Sequence, residues 1–189
     1  VAGIDEVGRG AWAGPVVAAC VVLPSDPQLL HKRLLDVRDS KCLSPKKRER
    51  ISKLIMDTAL FTSVGIVSSK EIDLCGIMSA TRIAMCNAIN SLHKQPDQLL
   101  IDAVDLNDDL SISQNIMNFG DVISMSIASA SIIAKVYRDR LMVKLSSKYP
   151  GYGFERHKGY GTSMHYDRLI KLKATPIHRK SFRPMVLLT

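Results

Sequence analysis

Val1-Ala2-Gly3-Ile4-Asp5-Glu6-Val7-Gly8-Arg9-Gly10 is the stretch from which the fold is read. Residues 1–5 are apolar up to an acid, and Val7-Gly8-Arg9-Gly10 is a glycine-rich turn. Residues 16–23, bounded by Pro15 and Pro24, form a second, fully apolar run rich in β-branched residues. The pair reads as two strands joined by a loop. Successive strand side chains point to opposite faces, so Asp5 and Glu6 reach one site only where the strand ends and the chain turns. Taken alone, they read first as solvated surface acids.

Working outward, residues 24–43 look polar and irregular. Ser44-Pro45 then opens a helix, with Ser44 as N-cap, Pro45 at the first helical position, and Ile51, Leu54 and Ile55 as its apolar face. Residues 61–67 alternate like a strand, 69–92 are mostly helical, and Leu99-Leu100-Ile101 is a short buried strand. Residues 102–118 read as an acidic loop with a short helix, and 122–125 as a strand edge. A long helix is predicted over 126–148. It places Ile127, Ala130, Ala134, Tyr137, Leu141 and Leu145 on one face, and Lys135, Arg138, Lys144 and Lys148 on another, before Pro150 stops it. A Gly- and Tyr-rich loop (151–162), a short helix (164–172) and a basic tail follow. Strands and helices alternate, so the class is α/β around one sheet. The division expected is a core over 1–148 and a basic loop-and-helix segment over 149–189, packed on the same domain.

Of the 189 residues, 46% are hydrophobic and 23% charged, a balance that excludes disordered, collagen-like and coiled-coil classes. The apolar run at 16–23 is too short to cross a bilayer, which takes about 20 residues. The chain opens on Val1 and shows no secretory signal pattern. Cys20, Cys42, Cys75 and Cys86 have no pair at the two-residue gap of a zinc knuckle or redox motif. A reducing, cytosolic setting and a monomer are expected. The net charge of +8 is unevenly spread. Residues 1–134 hold 13 Lys+Arg against 15 Asp+Glu, and residues 135–189 hold 13 against 3. That asymmetry points to a polyanionic partner, or equally to a merely solvated face.

Three acidic motifs stand where sheet chemistry gathers. Asp5-Glu6 ends one apolar strand, and Asp102 ends another in Leu-Leu-Ile-Asp. Gly120-Asp121 precedes the long helix. In open α/β sheets, sites lie at the carboxyl ends of strands. Crowded carboxylates repel unless protonated or metallated, and an all-oxygen set suits Mg²⁺ or Mn²⁺. Four carboxylates can hold two such ions, as in many nucleases. Asp105-Leu106-Asn107-Asp108-Asp109 imitates a calcium loop, but Leu110 stands where its glycine should be and Ile116 where its glutamate should be, so calcium is rejected. Softer candidates are the exposed amides of Gly8-Arg9-Gly10, the Ser40 hydroxyl and Lys41 ammonium of Asp39-Ser40-Lys41, Lys158 and Tyr160 in His157–Thr162, and Arg179 in the basic tail. Each reads equally as an ordinary turn, loop or solvated end.

Assembled in order, these motifs resemble ribonuclease HII. They are Gly3–Gly10, Ala13-Gly14-Pro15-Val16-Val17, Asp39-Ser40-Lys41 with Leu43-Ser44, Ile101-Asp102, Gly120-Asp121, Ile127–Val136 with Arg138-Asp139, Tyr149-Pro150, Tyr152-Gly153-Phe154, His157–Thr162 and His178–Phe182. The resemblance implies a ribonuclease H-like fold, a mixed central sheet flanked by helices with a helical basic C-terminal portion. It implies metal-binding catalytic acids at Asp5, Glu6, Asp102 and Asp121, and junction recognition by Gly8, Arg9, Gly10 and Tyr160. The activity implied is metal-dependent cleavage of RNA–DNA hybrids and of duplex DNA containing single ribonucleotides. Three positions depart from the family's usual pattern. Phe119 stands where Lys is common, Ala103 where Gly is common, and Tyr137 where Thr is usual. The alternatives are a non-catalytic nucleic-acid binder using the basic third, or another two-metal nuclease of the same fold.

Overall fold

The computed structural model describes residues 1–37, 43–107 and 109–188. β1 (Ala2–Val7) pairs antiparallel with β2 (Val16–Val22), which pairs antiparallel with β3 (Phe61–Val67). On the other side of β1, β4 (Gln98–Asp102) and β5 (Ser113–Met117) run parallel to it. The mixed sheet has the order β3-β2-β1-β4-β5. The expected α/β class, a mixed central sheet flanked by helices, holds.

Both faces of the sheet are covered, as the unbroken apolar run of β2 requires. Val16, Ala18 and Cys20 face one core with Ala2, Ile4, Leu99 and Ile101, under helix α3 (Ser69–Asn90). Val17, Ala19 and Val21 face the other, under α1 (Pro27–Leu34), α2 (Pro45–Thr58) and α5 (Met125–Lys148). α3 has the length and hydropathy of a membrane span. Ile72, Ala80, Ala84, Met85, Ala88 and Ile89 pack in the core on the sheet, and at Gly65 the approach is so close that a Cβ would fall 1.9 Å from the Ala84 carbonyl oxygen.

The Ser44 cap is as expected. Ser44 accepts from Lys47 N–H with Pro45 behind it, and Ser68 and Glu71 form a reciprocal capping box that starts α3. Elsewhere the structure corrects the expectations. The irregular 24–43 stretch contains α1, capped by Asp26 ahead of Pro27, a start signal present in the sequence. The acidic loop holds no helix at 113–117 but the polar edge strand β5, whose side chains are mostly exposed and lack apolar alternation. Residues 120–123 are a helical turn, α4 (Gly120–Ile123), and not a strand edge. Here β-branched propensity loses to a tie between the Gly120 N–H and the Asp102 carboxylate at 2.9 Å. A short helix, α6 (Phe154–His157), interrupts the Gly-Tyr loop, and α7 (Ser163–Leu172) and α8 (Met185–Leu188) complete the chain. On α5 the predicted faces hold at Ile127, Ala130 and Ala134 and at Lys144 and Lys148, and fail at one adjacent pair. Tyr137 is exposed and Arg138 is fully buried.

Candidate active site

β1, β4 and β5 are parallel, so their carboxyl ends open on one edge of the sheet. The β1–β4 register pairs Ile4 with Ile101, which carries Asp5 alongside Asp102 one residue on. Asp5, Glu6 and Asp102 line one cavity of about 380 Å³, together with Val7, Arg48, Ser131, Ile132 and Lys135. Asp121 follows β5. It is buried in the first turn of α4, next to the Gly120 amide that holds Asp102, but it does not line the cavity.

The acids are held individually. The Glu6 N–H donates to Asp5 Oδ1 at 2.8 Å, and the Ser131 hydroxyl donates to the same carboxylate. Arg9 Nη1 reaches Glu6 Oε1 at 3.2 Å, while Glu6 Oε2 is buried with no hydrogen-bond partner. Burial first, then the Glu6 charge, push the Asp5 carboxyl up to about 7. Burial also raises Glu6, against the pull of Arg9. Such a set strains against its own charge and fits a hard divalent cation, which would neutralise it and engage the orphaned oxygen. Among the described residues, no three His, Cys, Asp or Glu side chains form a group that could hold one ion.

Beside these acids runs the glycine loop. Gly8 has φ +94°, and a Cβ there would strike Arg138 Nε at 2.2 Å. Gly10 is exposed, with open space where a side chain would stand. Arg9 is folded back onto Glu6 and the Met78 sulfur. Tyr160 sits beside the loop through a bridge to Ala11, its ring centroid 5.6 Å from Lys135 Nζ and 5.2 Å from Arg138 Cζ. Gly8, Arg9, Gly10 and Tyr160 are therefore brought together next to the acids. Lys158 is set back, its ammonium donating to the Glu155 carbonyl. Ser40 and Lys41 lie outside the described residues.

Arg179 requires a correction. Its place in the basic tail predicts a phosphate-facing cation, yet it is fully buried. Its guanidinium donates to the carbonyls of Gly8 and Arg9 at 2.7 Å each, and of Gly14 at 3.0 Å. Arg138 does the same for Ala13, Pro15 and Lys158. Both are struts of the loop, and only Lys180 and Arg183 of that tail motif carry exposed charge.

Arg48, Ser131 and Lys135 were not singled out by sequence reasoning. Ser131 and Lys135 are spaced i, i+4 on α5, a signal that only the partner strand makes meaningful. Asp139 holds Lys135 Nζ at 2.9 Å and lies 3.9 Å from Arg48 Nη1, which ties both cations to the cavity wall. Trp12, unexplained by sequence, covers Gly161, where a Cβ would fall 2.3 Å from the indole.

A family model described as Ribonuclease HII matches residues 2–185. The chain belongs to the ribonuclease HII family. A Ribonuclease HII of Leuconostoc mesenteroides is 51% identical over 185 residues, covering 98% of this chain and 70% of the relative. The ribonuclease H2 of Pyrococcus horikoshii superposes with TM-score 0.82 at 28% identity, covering 99% of this chain and 95% of that one. The Mn²⁺ complex of Bst-RNase HIII shares the fold, with TM-score 0.76 at 20% identity, covering 98% of this chain and 67% of that one. Membership of ribonuclease HII makes the chain an endonuclease, a phosphodiester hydrolase with ribonuclease H activity. The ribonuclease H family is in general dependent on divalent metals.

Proposed function

We propose that the chain cuts the RNA strand of RNA–DNA hybrids and also cuts at single ribonucleotides embedded in duplex DNA, acting as a monomer in the cytosol. The observation that supports this reading is that Asp5, Glu6 and Asp102 line one cavity, with Arg9 bonded to Glu6 and the Tyr160 ring 5.6 Å from Lys135 of the same cavity. Free thiols at Cys20, Cys75 and Cys86 accord with a reducing compartment.

Asp5, Glu6, Asp102 and Asp121 would hold two Mg²⁺ or Mn²⁺ ions. Bound there, such ions supply activation of water and neutralisation of charge on the phosphate. The chain's own groups fix the geometry. Ser131 and the Glu6 amide orient Asp5, and the Gly120 amide orients Asp102. Lys135, steadied by Asp139, offers an ammonium at the cavity wall to a substrate phosphate. Water adds to phosphorus and the 3′ oxygen departs with a proton, leaving 3′-hydroxyl and 5′-phosphate ends.

The 2′-hydroxyl marks a ribonucleotide within a duplex, and it both donates and accepts. The backbone of Gly8, Arg9 and Gly10 can approach it without a Cβ in the way. Tyr160 adds a phenol and a ring for the adjoining sugar. Ser40, Lys41 and Lys158 extend the contact to neighbouring phosphates. The basic surface draws in the polyanion.

Matched all-DNA, hybrid and single-ribonucleotide duplexes, incubated with and without Mg²⁺, test the reading. Cleavage of both ribonucleotide-containing substrates, with Mg²⁺ only, is expected. Cleavage of the all-DNA duplex would favour a junction nuclease of the same fold. Tyr160→Ala should lower kcat/KM on the single-ribonucleotide duplex more than on a long hybrid, which offers many registers. An equal drop on both would move junction recognition elsewhere.

A further inference from the structure

Behind Tyr160, outside the acid cavity, three histidines meet. His157 comes from α6, His165 from α7 and His178 from the tail. His165 and His178 are buried and His157 is partly buried. The rings of His157 and His165 stack with centroids 4.3 Å apart and planes 14° from parallel. His165 Nε2 and His178 Nε2 lie 3.1 Å apart.

Partners with fixed roles locate every proton in this cluster. A backbone N–H can only donate, and a carbonyl oxygen can only accept. The Thr175 N–H donates to His178 Nδ1 at 2.9 Å, with the Thr175 hydroxyl free to turn its proton to the same nitrogen from 2.8 Å, so that nitrogen is bare and the neutral ring carries its proton on Nε2. Tyr160 O is 3.0 Å from His165 Nδ1, so the His165 proton sits there and its Nε2 is bare. The two assignments start from opposite ends and agree in the middle. His178 Nε2–H donates to His165 Nε2. Independently, the Gly159 N–H donates to His157 Nδ1 at 3.2 Å, and His157 Nε2–H donates to the Tyr152 carbonyl at 2.9 Å. A further proton on His165 would set two N–H groups against each other, and one on His178 would oppose the Thr175 amide. Burial acts in the same direction, lowering all three and bringing His165 and His178 to about 4.

The cluster delivers its hydrogen bonds to one short segment. His157 holds the Gly159 amide, His165 holds the Tyr160 carbonyl, and Arg138 holds the Lys158 carbonyl. The Trp12 and Ala13 amides hold the Gly159 carbonyl.

We propose that His165 and His178 are positioning residues for Tyr160. A neutral relay, locked in one tautomer from Thr175 to the Tyr160 carbonyl, sets the tyrosine beside the Gly8–Gly10 loop and thereby sets discrimination of an embedded ribonucleotide. This rests on the reading of Tyr160 as the residue that recognises the junction. Histidines that merely fill space need no single tautomer, whereas this relay works with one only.

Two measurements on the whole chain test it. Long-range ¹H–¹⁵N correlation at pH 7 is expected to show His165 as Nδ1–H, and His157 and His178 as Nε2–H. An imidazolium, or His165 as Nε2–H, would overturn the relay whatever Tyr160 does. The second compares His165→Asn, whose amide can still donate near the Nδ1 position, with His165→Gln, whose amide lies near Nε2. The quantity read is kcat/KM on a single-ribonucleotide duplex divided by that on a long hybrid. The Gln variant should lower this ratio about tenfold, one hydrogen bond's worth, and the Asn variant by less than about threefold. If Tyr160→Ala lowers the ratio and His165→Gln does not, the proposal is overturned. If Tyr160→Ala itself leaves the ratio unchanged, the junction reading fails instead, and the spectrum still decides whether the relay exists.

Discussion

Asp5→Asn should stabilise the metal-free protein while abolishing cleavage. The Asp5 carboxyl rises from its ordinary 3.8 to about 7 in the folded chain, through burial and the Glu6 charge. A folded state that binds a proton more tightly than the unfolded state loses stability as pH climbs between those two values. At 1.36 kcal/mol per pH unit, the Asp5 charge costs the fold about 4 kcal/mol once pH exceeds 7, and about 1.5 kcal/mol at pH 5. Asparagine keeps an oxygen for the Glu6 amide and the Ser131 hydroxyl, and carries no charge. The variant should therefore be about 2–4 kcal/mol more stable than the parent at pH 8 in chelator, and the advantage should shrink towards pH 5. For a chain of this size that is a melting-temperature gain of about 5–15 °C at pH 8. Mg²⁺ should raise the melting temperature of the parent and close the gap, since only the parent keeps the full carboxylate set. The assay is a pair of thermal melts at pH 5 and pH 8, with chelator and with Mg²⁺, beside a cleavage assay. An Asp5→Asn protein that is less stable than the parent at pH 8 in chelator would refute the view that these acids are held against their own repulsion.

Other expectations follow from the same geometry. Ala103 has φ +55°, a left-handed conformation that disfavours a Cβ, so Ala103→Gly should gain about 0.5–1 kcal/mol in denaturant unfolding; a loss would contradict that backbone. Arg138→Met strands three carbonyls and should cost about 3 kcal/mol or more by the same method; a cost under about 1 kcal/mol would remove its role as a strut. Replacing exposed Lys144, Lys148 and Lys180 by Gln should flatten the dependence of hybrid binding on log salt by up to about 0.9 for each phosphate no longer neutralised; an unchanged slope would mean the basic third faces away from substrate.

Much of this was legible in the sequence because it is written locally. Ser44-Pro45 and the doubly apolar β2 each specify their own element within a few residues. Asp5, Glu6 and Asp102 were legible because each stands at the end of an apolar strand. What escaped depends on distant partners. β5 is polar and exposed, so its existence rests on the ladder that β4 offers it. Arg138 and Arg179 look like surface cations in sequence, and the carbonyls of the β1–β2 loop, with that of Lys158 for Arg138, make burial tolerable for them. Arg48 reaches the cavity only because α2 and α5 lie on one face of the sheet. Ala103 and Phe119 both depart from the family's usual residues, and both adopt positive φ on either side of the Asp102–Gly120 hydrogen bond.

The bond from Arg179 to the Gly8 carbonyl joins residues 171 positions apart. It follows that the order of synthesis and the order of assembly conflict. The strand bearing Asp5 and Glu6 leaves the ribosome well before Arg179, so the loop above it lacks that brace until Arg179 has emerged. Until then Gly8 and Arg9 have carbonyls without their donor. Closing a loop this long costs conformational entropy, which the three carbonyl bonds of the Arg179 guanidinium must offset. A nascent chain halted short of residue 179 would carry the sheet and its acids while lacking the brace that aims them at a substrate.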